Sequence, residues 1–309
     1  PFMFDAWHAN DACDFIEKLP HVEGKWEAPT IVMHPSHIFF VVQLFGFRHR
    51  KAVDIPGYGS FRPRRFTSAL FAVARKNAKS TLAAAIMNYC LCCEPEEGAQ
   101  VISAATTYDQ AAIIFKVSKA QVVKTPDLRE AFGVETWAKA ITRVETGASY
   151  KALHAKASTQ DGLNPSHVVL DEIHAHKTPD LLNVLTSAAG ARGNPLWLYT
   201  TTEGYTNPGP WAEIRMFAKR LLGGLFEDTA DHFLVVFYAV DEENKTLKIK
   251  ADDEFDESAW VKANPLMDVN PHLKAAIQKE AIEAKQMPSK LAEFRIKRLN
   301  RPASTAEGW

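Results

Sequence analysis

Short apolar runs alternate with helix-compatible segments through the middle of this chain. The runs have the length and composition of buried strands, and an amphipathic segment at 108–122 predicts a crossover helix. Residues 272–300 have helical periodicity, and Pro288 divides them into two predicted helices. The predicted strands are residues 70–73, 100–105, 150–155, 168–170, 196–202 and 233–240. This pattern favours an α/β fold: a mainly parallel sheet with helices on both faces, and a small helical lobe attached to it.

The same pattern predicts four regions. We expect an N-terminal region at 1–60, a core at 61–225, a last strand with the helical lobe at 226–300, and the start of a linker at 301–309. With 309 residues, 46% hydrophobic and 24% charged, the chain is typical of globular proteins with a substantial core. No apolar run approaches the ~18 residues of a membrane span, and the first residues do not resemble a secretion signal. We therefore expect no membrane association.

The first core strand runs directly into a Lys-Ser-Thr triplet that opens a helix. This layout is typical of a phosphate-binding loop, G-x-x-x-x-G-K-[ST], although Val73 and Ala78 hold its two glycine positions. A helix N-terminus with basic side chains suits a phosphate, whereas the alternative is an ordinary helix start. We name residues 73–80 the phosphate loop. The expected nucleotide contacts are Arg75, Lys76, Asn77, Ala78, Lys79, Ser80 and Thr81.

Ala78 stands where a glycine usually lets the backbone bend tightly around phosphate. A Cβ at this position costs on the order of 1 kcal/mol if φ is positive. We therefore expect weakened nucleotide binding rather than none.

A second motif, Asp171-Glu172, ends the apolar run at 168–170. Enzymes with phosphate loops use such a pair to hold magnesium and to activate the attacking water, which predicts a metal role for Asp171 and a base role for Glu172. Alternatively the pair caps a helix, or Glu172, His174 and His176 form the metal centre of a hydrolase, although their spacing does not put all three on one helix face. About ninety residues separate the two motifs, enough for two strand–helix units.

A third motif is the run of hydroxyl side chains that ends the predicted strand at 196–202. Thr200, Thr201 and Thr202 would lie beside the γ-phosphate if this strand follows the Asp-Glu strand as in nucleotide motors. Hydroxyls there can sense hydrolysis. Threonine is also simply favoured in strands.

Two clusters have open roles. The segment CLCC holds Cys90, Cys92 and Cys93, which fit small buried residues of a helix better than a zinc or redox site. A basic stretch at 48–65 is either a solvated loop or a patch that contacts phosphates. Its cations are Arg48, Arg50, Lys51, Arg62, Arg64 and Arg65. The net charge of −1 argues against a wholly basic nucleic-acid binder.

In this order, the motifs resemble those of the large terminase subunit of tailed bacteriophages, the ATPase and nuclease that packages DNA into proheads. Residues 74–80 (ARKNAKS) are similar to the family's A-R-x-x-G-K-S loop. Four further segments of this chain look like other landmarks of the family. They are residues 161–165 (DGLNP), 191–196 (ARGNPL), 260–265 (WVKANP) and 294–300 (FRIKRLN). The resemblance covers nearly the whole chain.

The resemblance implies ATP and Mg²⁺ as ligands of a P-loop NTPase. Lys79 would bind the β- and γ-phosphates, and Arg75 would reach the γ-phosphate. Ser80 and Asp171 would hold the metal, and Glu172 would activate water. The coupling motif would be Thr200, Thr201 and Thr202.

The resemblance also implies partners. These are double-stranded DNA, a portal protein, a small terminase subunit and further copies of the chain in a ring, in the host cytoplasm. Residues 34–47 are similar to the family's adenine-reading segment, so His37 or Gln43 would read the base.

Two departures from the family concern the ring and the nuclease. Many members carry an arginine ahead of the Asp-Glu strand that acts across the subunit interface, where this chain has Asp161. Arg192, Arg143 and Arg129 are the candidates to replace it, Arg192 first. Only residues 301–309 follow Asn300, with one carboxylate side chain, so we expect the acidic nuclease domain to be absent from this chain.

Two other functions fit some of these features. Residues 171–174 (DEIH) match the signature of DExH-type helicases, which need a second motor domain. The glycine-free loop would also fit a degenerate packaging scaffold without turnover. ATP hydrolysis measured with and without DNA would discriminate between them.

Overall fold

Strands from across the chain build one large sheet and two small pairs. The computed structural model describes residues 1–24, 28–55, 59–154, 163–188, 192–226, 229–244 and 248–304. The strands there are β1 (Phe2–Phe4), β2 (Phe47–His49), β3 (Val53–Ile55), β4 (Gly59–Phe61), β5 (Ser68–Ala72), β6 (Gln100–Ala105), β7 (Val134–Thr136), β8 (Ile141–Arg143), β9 (Ala148–His154), β10 (His167–Asp171), β11 (Leu196–Thr201) and β12 (Phe233–Phe237). The eight-stranded sheet has the order β12-β5-β11-β10-β6-β9-β8-β7 and is parallel from β12 to β9.

Helices cover both faces of this sheet. They are α1 (Ala6–Glu17), α2 (Pro35–Gly46), α3 (Lys79–Cys92), α4 (Tyr108–Val123), α5 (Pro126–Phe132), α6 (Asp180–Ala188), α7 (Pro210–Leu222), α8 (Glu257–Trp260), α9 (Pro271–Gln286) and α10 (Pro288–Arg298). Side chains alternate along β5: Phe71 packs into the core with α1 to α4, and Leu70 into the core with α6 and α7. The predicted α/β fold is confirmed.

The connection between the first two motifs is the main departure from the predicted topology. We expected two strand–helix units, but one such unit, β6 with α4 and the short α5, is followed by the antiparallel strands β7, β8 and β9. A turn through Gly147, with φ of 65°, joins β8 to β9. β7 and β8, with three residues each, are too short to be recognised by their apolar pattern, whereas β9 overlaps the predicted strand at 150–155.

The helical lobe consists of α8, α9, α10 and the 3₁₀ turn Pro265–Met267. It has its own core, centred on Trp260, Ile277 and Phe294, and Ala74 of the phosphate loop belongs to that core. The last strand ends at Phe237, earlier than predicted, because the chain turns there and Val240 N donates to Leu299 O of the lobe. The lobe is therefore packed directly against the loop.

The basic stretch near the N-terminus is partly buried, which corrects the prediction of a solvated or phosphate-contacting cluster. Arg48 and Arg64 are almost fully buried, and both pair with the buried carboxylate of Glu94. Arg65 pairs with Asp231. Two buried guanidinium groups bound to one carboxylate are unavailable to nucleic acid.

Two of the three clustered cysteines have the predicted buried environment, whereas Cys93, the C-cap of α3, is half-buried. Cys90 and Cys92 are buried in α3, and burial raises the pKa of the Cys92 thiol to about 12. Both are free thiols. Within the described residues, no helix has the length and apolarity needed to cross a membrane.

Candidate functional site

The phosphate loop joins the carboxyl end of β5 to the first turn of α3. Two of its residues have left-handed backbone conformations: φ is 69° at Lys76 and 55° at Ala78. Such conformations cost non-glycine residues on the order of 1 kcal/mol or more. The condition under which we expected Ala78 to weaken binding, a positive φ, is therefore present in the structure.

Lys79 is buried at the base of the loop, with 7% of its surface exposed. Its Nζ lies 3.0 Å from Thr202 Oγ1 and 3.4 Å from Val73 O. Burial lowers the pKa of Lys79, and the carboxylates of Glu172 and Asp171 oppose that effect. A buried ammonium held by one hydroxyl and one carbonyl retains donor capacity for a phosphate.

The two carboxylates follow β10, next to the loop. Thr200 Oγ1 donates to Asp171 Oδ1 at 2.7 Å, and the Glu172 amide donates to the same atom at 3.0 Å. Burial and the neighbouring Glu172 carboxylate raise the pKa of Asp171. Asp171 is buried and Glu172 is half-buried, so the two adjacent carboxylates repel each other, and a divalent cation with oxygen ligands relieves that repulsion. The donor set therefore fits magnesium.

Glu172 has a left-handed backbone conformation, and its carboxylate lies beside His174. Its φ is 48°, and its Oε2 lies 3.1 Å from His174 Nδ1. Burial opposes ionisation of Glu172, but the His174 contact and the charges of Lys79 and Arg75 outweigh it and lower the pKa to about 2. Glu172 is therefore ionised at neutral pH, as a group that orients and deprotonates water must be.

Each of the three threonines contacts a different member of the site. Thr200 bonds Asp171, and Thr202 bonds Lys79. Thr201 Oγ1 lies 2.9 Å from His174 Nδ1, so it fixes the imidazole that pairs with Glu172. The end of β11 thus contacts the Lys79 ammonium, the Asp171 carboxylate and the His174 imidazole.

His174 was missed as a supporting residue by the sequence analysis, which weighed it only as a ligand of an alternative metal centre. Its ring packs against Gly204, where a Cβ would come within 3.1 Å of the imidazole. Among the described residues, no group of three or more His, Cys, Asp or Glu side chains has the arrangement of a metal site. A glycine two residues after a threonine run was the available signal.

The remaining loop residues have distinct positions. Asn77 is fully buried and its side chain bonds protein groups, while Ser80 and Thr81 are half-buried in the first turn of α3. Arg75 and Lys76 are exposed and line a cavity of about 550 Å³ between the loop and helices α9 and α10. Ser80 lies in the helical turn that follows Lys79, where the motif would place the metal ligand.

Of the two predicted adenine-reading residues, His37 is the one in contact with the loop. His37 is buried in the first turn of α2, and its Nε2 lies 3.3 Å from Asn77 O. Burial lowers the pKa of His37 to about 4, so the ring is neutral at pH 7. Gln43 is half-buried nearly two turns further along α2. The identity of the base reader stays a prediction.

Arg192 is not brought to this site. It precedes β11, whereas the threonines end it, so about 20 Å of strand separates them. Its guanidinium donates to Asn164 O at 2.8 Å, Gly98 O at 3.0 Å and Glu96 Oε1 at 2.9 Å. Arg192 therefore ties loops together at the amino-terminal edge of the sheet. Asp161, the position that prompted this choice, lies outside the described residues.

The other two arginines also differ in exposure. Arg143 donates to Cys92 O at 2.8 Å and lies over the Phe132 ring, whereas Arg129 is exposed at the end of α5. Only an exposed side chain can reach a neighbouring subunit without breaking its own contacts.

Replacing Ala78 with Gly is expected to tighten binding of a non-hydrolysable ATP analogue about fivefold, or ~1 kcal/mol, because glycine adopts positive φ freely and lets phosphate approach the backbone. Isothermal titration calorimetry measures this. Ala212→Gly, at an exposed helical position, is the matched control and should leave affinity unchanged. Unchanged or weaker binding by Ala78→Gly would mean that alanine is no handicap here.

Comparisons with known proteins agree with this geometry. The sequence profile of "Terminase large subunit, ATPase domain" matches residues 35–220. The chain is 29% identical over 243 residues to the terminase large subunit of Enterobacteria phage HK97, covering 77% of this chain and 44% of that protein. It is 31% identical over 183 residues to protein YmfN of Escherichia coli (strain K12), covering 57% and 36%.

The fold is also similar to a solved structure. The crystal structure of the HK97 bacteriophage large terminase superposes with a TM-score of 0.74 at 23% identity, covering 97% of this chain and 56% of that one. The chain thus spans between about a third and just over half of the length of these relatives.

The expectation that the nuclease domain is absent from this chain needs correction. The profile of "Terminase large subunit, endonuclease domain" matches residues 227–308, so part of the nuclease-domain sequence is in this chain. We counted carboxylates only after Asn300, whereas the profile begins before the last strand. The predicted resemblance is itself confirmed by the two profiles. The chain belongs to the family of the terminase large subunit, ATPase domain.

Proposed function

We propose that this chain is the ATPase motor of a viral DNA-packaging terminase, which hydrolyses ATP to move double-stranded DNA into a prohead. The observation that carries the proposal is the convergence of Lys79, Asp171 and Glu172 at the carboxyl edge of the sheet, each contacted through β11. A parallel sheet binds ligands at this edge. The DExH helicase alternative has no comparable support from the family profiles.

In this proposal, the loop binds the phosphates of ATP. The Lys79 ammonium exchanges its contact with Thr202 for the β- and γ-phosphates, and the amides at the start of α3 add further donors. Arg75, an exposed residue of the phosphate loop, supplies a second cation. Loss of the Lys79 contact frees Thr202, so phosphate binding is transmitted to the end of β11.

Asp171 and Ser80 are the residues that would hold Mg²⁺, which supplies charge neutralisation of the phosphates when bound. Glu172 accepts a proton from the attacking water, and its ionised state at neutral pH suits that role. His174, fixed by Thr201, keeps the Glu172 carboxylate in place. Thr200 orients the metal-binding carboxylate of Asp171.

We also propose the partners expected from the sequence: double-stranded DNA, a portal protein, a small terminase subunit and further copies in a ring, in the host cytoplasm. Since Arg192 and Arg143 are engaged within the chain, Arg129 is the better candidate to act across a ring interface. Turnover restored on mixing Arg129→Ala with Glu172→Gln subunits would support this, whereas restoration with Arg192→Ala instead would return the role to Arg192.

The test of the proposed function is ATP hydrolysis by the unmodified chain with and without double-stranded DNA. Magnesium-dependent turnover that DNA stimulates is the expected result. Nucleotide binding without turnover in either condition would favour the degenerate scaffold instead.

A further inference from the structure

The helical lobe is hydrogen-bonded to the phosphate loop at Ala74, Arg75 and Asn77. Two bonds join backbones: Ala74 N donates to Ala263 O at 3.2 Å, and Arg75 N donates to Lys297 O at 3.0 Å. Two more involve the Asn77 side chain: its Nδ2 donates to Asn264 Oδ1 at 3.2 Å, and its Oδ1 accepts from Leu266 N at 3.1 Å. The lobe therefore contacts consecutive parts of the loop.

Asn77 sits at the centre of these contacts. It is fully buried, and its Nδ2 also lies 3.1 Å from Ala74 O and 3.3 Å from Arg75 O. The residues on either side, Lys76 and Ala78, are the two with positive φ. The Asn77 side chain thus links the backbone at Ala74 and Arg75 to the segment that contains the two residues with positive φ.

Asn264 is fixed just as firmly within the lobe. It is fully buried, and its Nδ2 donates to Trp260 O at 3.0 Å and to Arg298 O at 2.7 Å. These carbonyls belong to α8 and α10, so the position of Asn264 depends on how those helices pack. Any shift of the lobe moves the Asn264 Oδ1 acceptor relative to the loop.

We propose that Asn77 and Asn264 are positioning residues, a buried amide pair by which the helical lobe holds the glycine-free phosphate loop in its phosphate-binding conformation. The pair replaces by hydrogen bonding what glycine supplies elsewhere by backbone freedom, because strained backbone persists only where surrounding contacts over-determine it. The inference rests on the proposed function for its ligand, ATP. The lobe thereby sets the affinity for ATP through its contact with Asn77.

The first experiment compares Asn264→Ala in two backgrounds, with binding of a non-hydrolysable ATP analogue measured by calorimetry. In the natural background, we expect at least a tenfold loss of affinity, because the Asn77 side chain loses its amide partner in the lobe. In the Ala78→Gly background, we expect about a threefold loss or less, because glycine no longer needs that support. A merely structural role of Asn264 would not depend on residue 78.

Asn88→Ala is the matched control for loss of a buried amide. Asn88 is fully buried in α3 and bonds Ser118 O and Gln121 Oε1, away from the loop. It should lower the thermal unfolding midpoint while changing affinity less than twofold. If Asn264→Ala does not fold, the hydrogen-exchange measurement on the unmodified chain tests the inference.

A second measurement uses the unmodified chain. The Leu266 amide donates to Asn77 Oδ1, so adding the ATP analogue should slow hydrogen exchange of a peptide spanning 263–267 at least threefold. Unchanged exchange, affinity within twofold of the unmodified chain, or an equal loss in both backgrounds would each overturn the inference. Failure of the unmodified chain to bind the analogue would overturn the proposed function itself, a separate outcome.

Discussion

Replacing Glu172 with Gln is expected to lower ATP turnover by about 10²–10⁴-fold, the usual contribution of a general base. The amide keeps the shape of the side chain but cannot accept the proton of water. Binding of ATP should survive, because Asp171 and Lys79 are unchanged. Steady-state phosphate release in the presence of DNA measures turnover, and calorimetry measures binding.

Lys79→Ala should abolish turnover by a different route. It removes the buried cation that would bind the phosphates, so binding is lost together with hydrolysis. Glu213→Gln and Lys116→Ala make similar changes at exposed helical positions and serve as controls. Normal ATP binding by both Lys79→Ala and Glu172→Gln would contradict the role given to Lys79.

Replacing Glu94 with Ala is expected to lower the free energy of unfolding by about 3–5 kcal/mol, because it leaves the guanidinium groups of Arg48 and Arg64 buried without their counter-ion. Asn194 Nδ2 loses its acceptor as well. Such a loss is a large share of the ~5–15 kcal/mol typical of a folded domain. Urea unfolding followed by circular dichroism measures it.

The pH dependence of the free energy of unfolding follows from the carboxylate of Glu94. Burial opposes ionisation of Glu94, but Arg64 and Arg48 outweigh it and lower the pKa from 4.5 to about 2. An acid with a lowered pKa in the folded state contributes stability that is complete above 4.5 and is lost as the pH falls towards 2. The pKa of Glu172 is also lowered from 4.5 to about 2. The free energy of unfolding should therefore fall as the pH decreases from 4.5 towards 2. The fall should be less steep in Glu94→Gln. The surface variant Glu130→Gln should show the same fall as the unmodified protein.

The chemical groups of the site could be located from the sequence because strands and their ends carry local signals. Apolar runs marked β5, β10 and β11, and the loop lysine, the Asp-Glu pair and the threonines each lie at or just beyond the end of such a run. The carboxyl ends of parallel strands meet at one edge, so their convergence could be expected before any distance was known. Short antiparallel strands such as β7 and β8 carry no comparable signal.

What the sequence by itself determined is therefore the family, the chain order of the six strands in the parallel part of the sheet, and the chemical groups at the strand ends. Only the tertiary structure decided which partners those groups have: that Thr202 bonds Lys79, that Asn77 bonds Asn264 across 187 positions, and that Arg192 stays at the far edge of the sheet. The physical reason is that a hydrogen bond between distant residues depends on how helices and strands pack, which local periodicity does not encode.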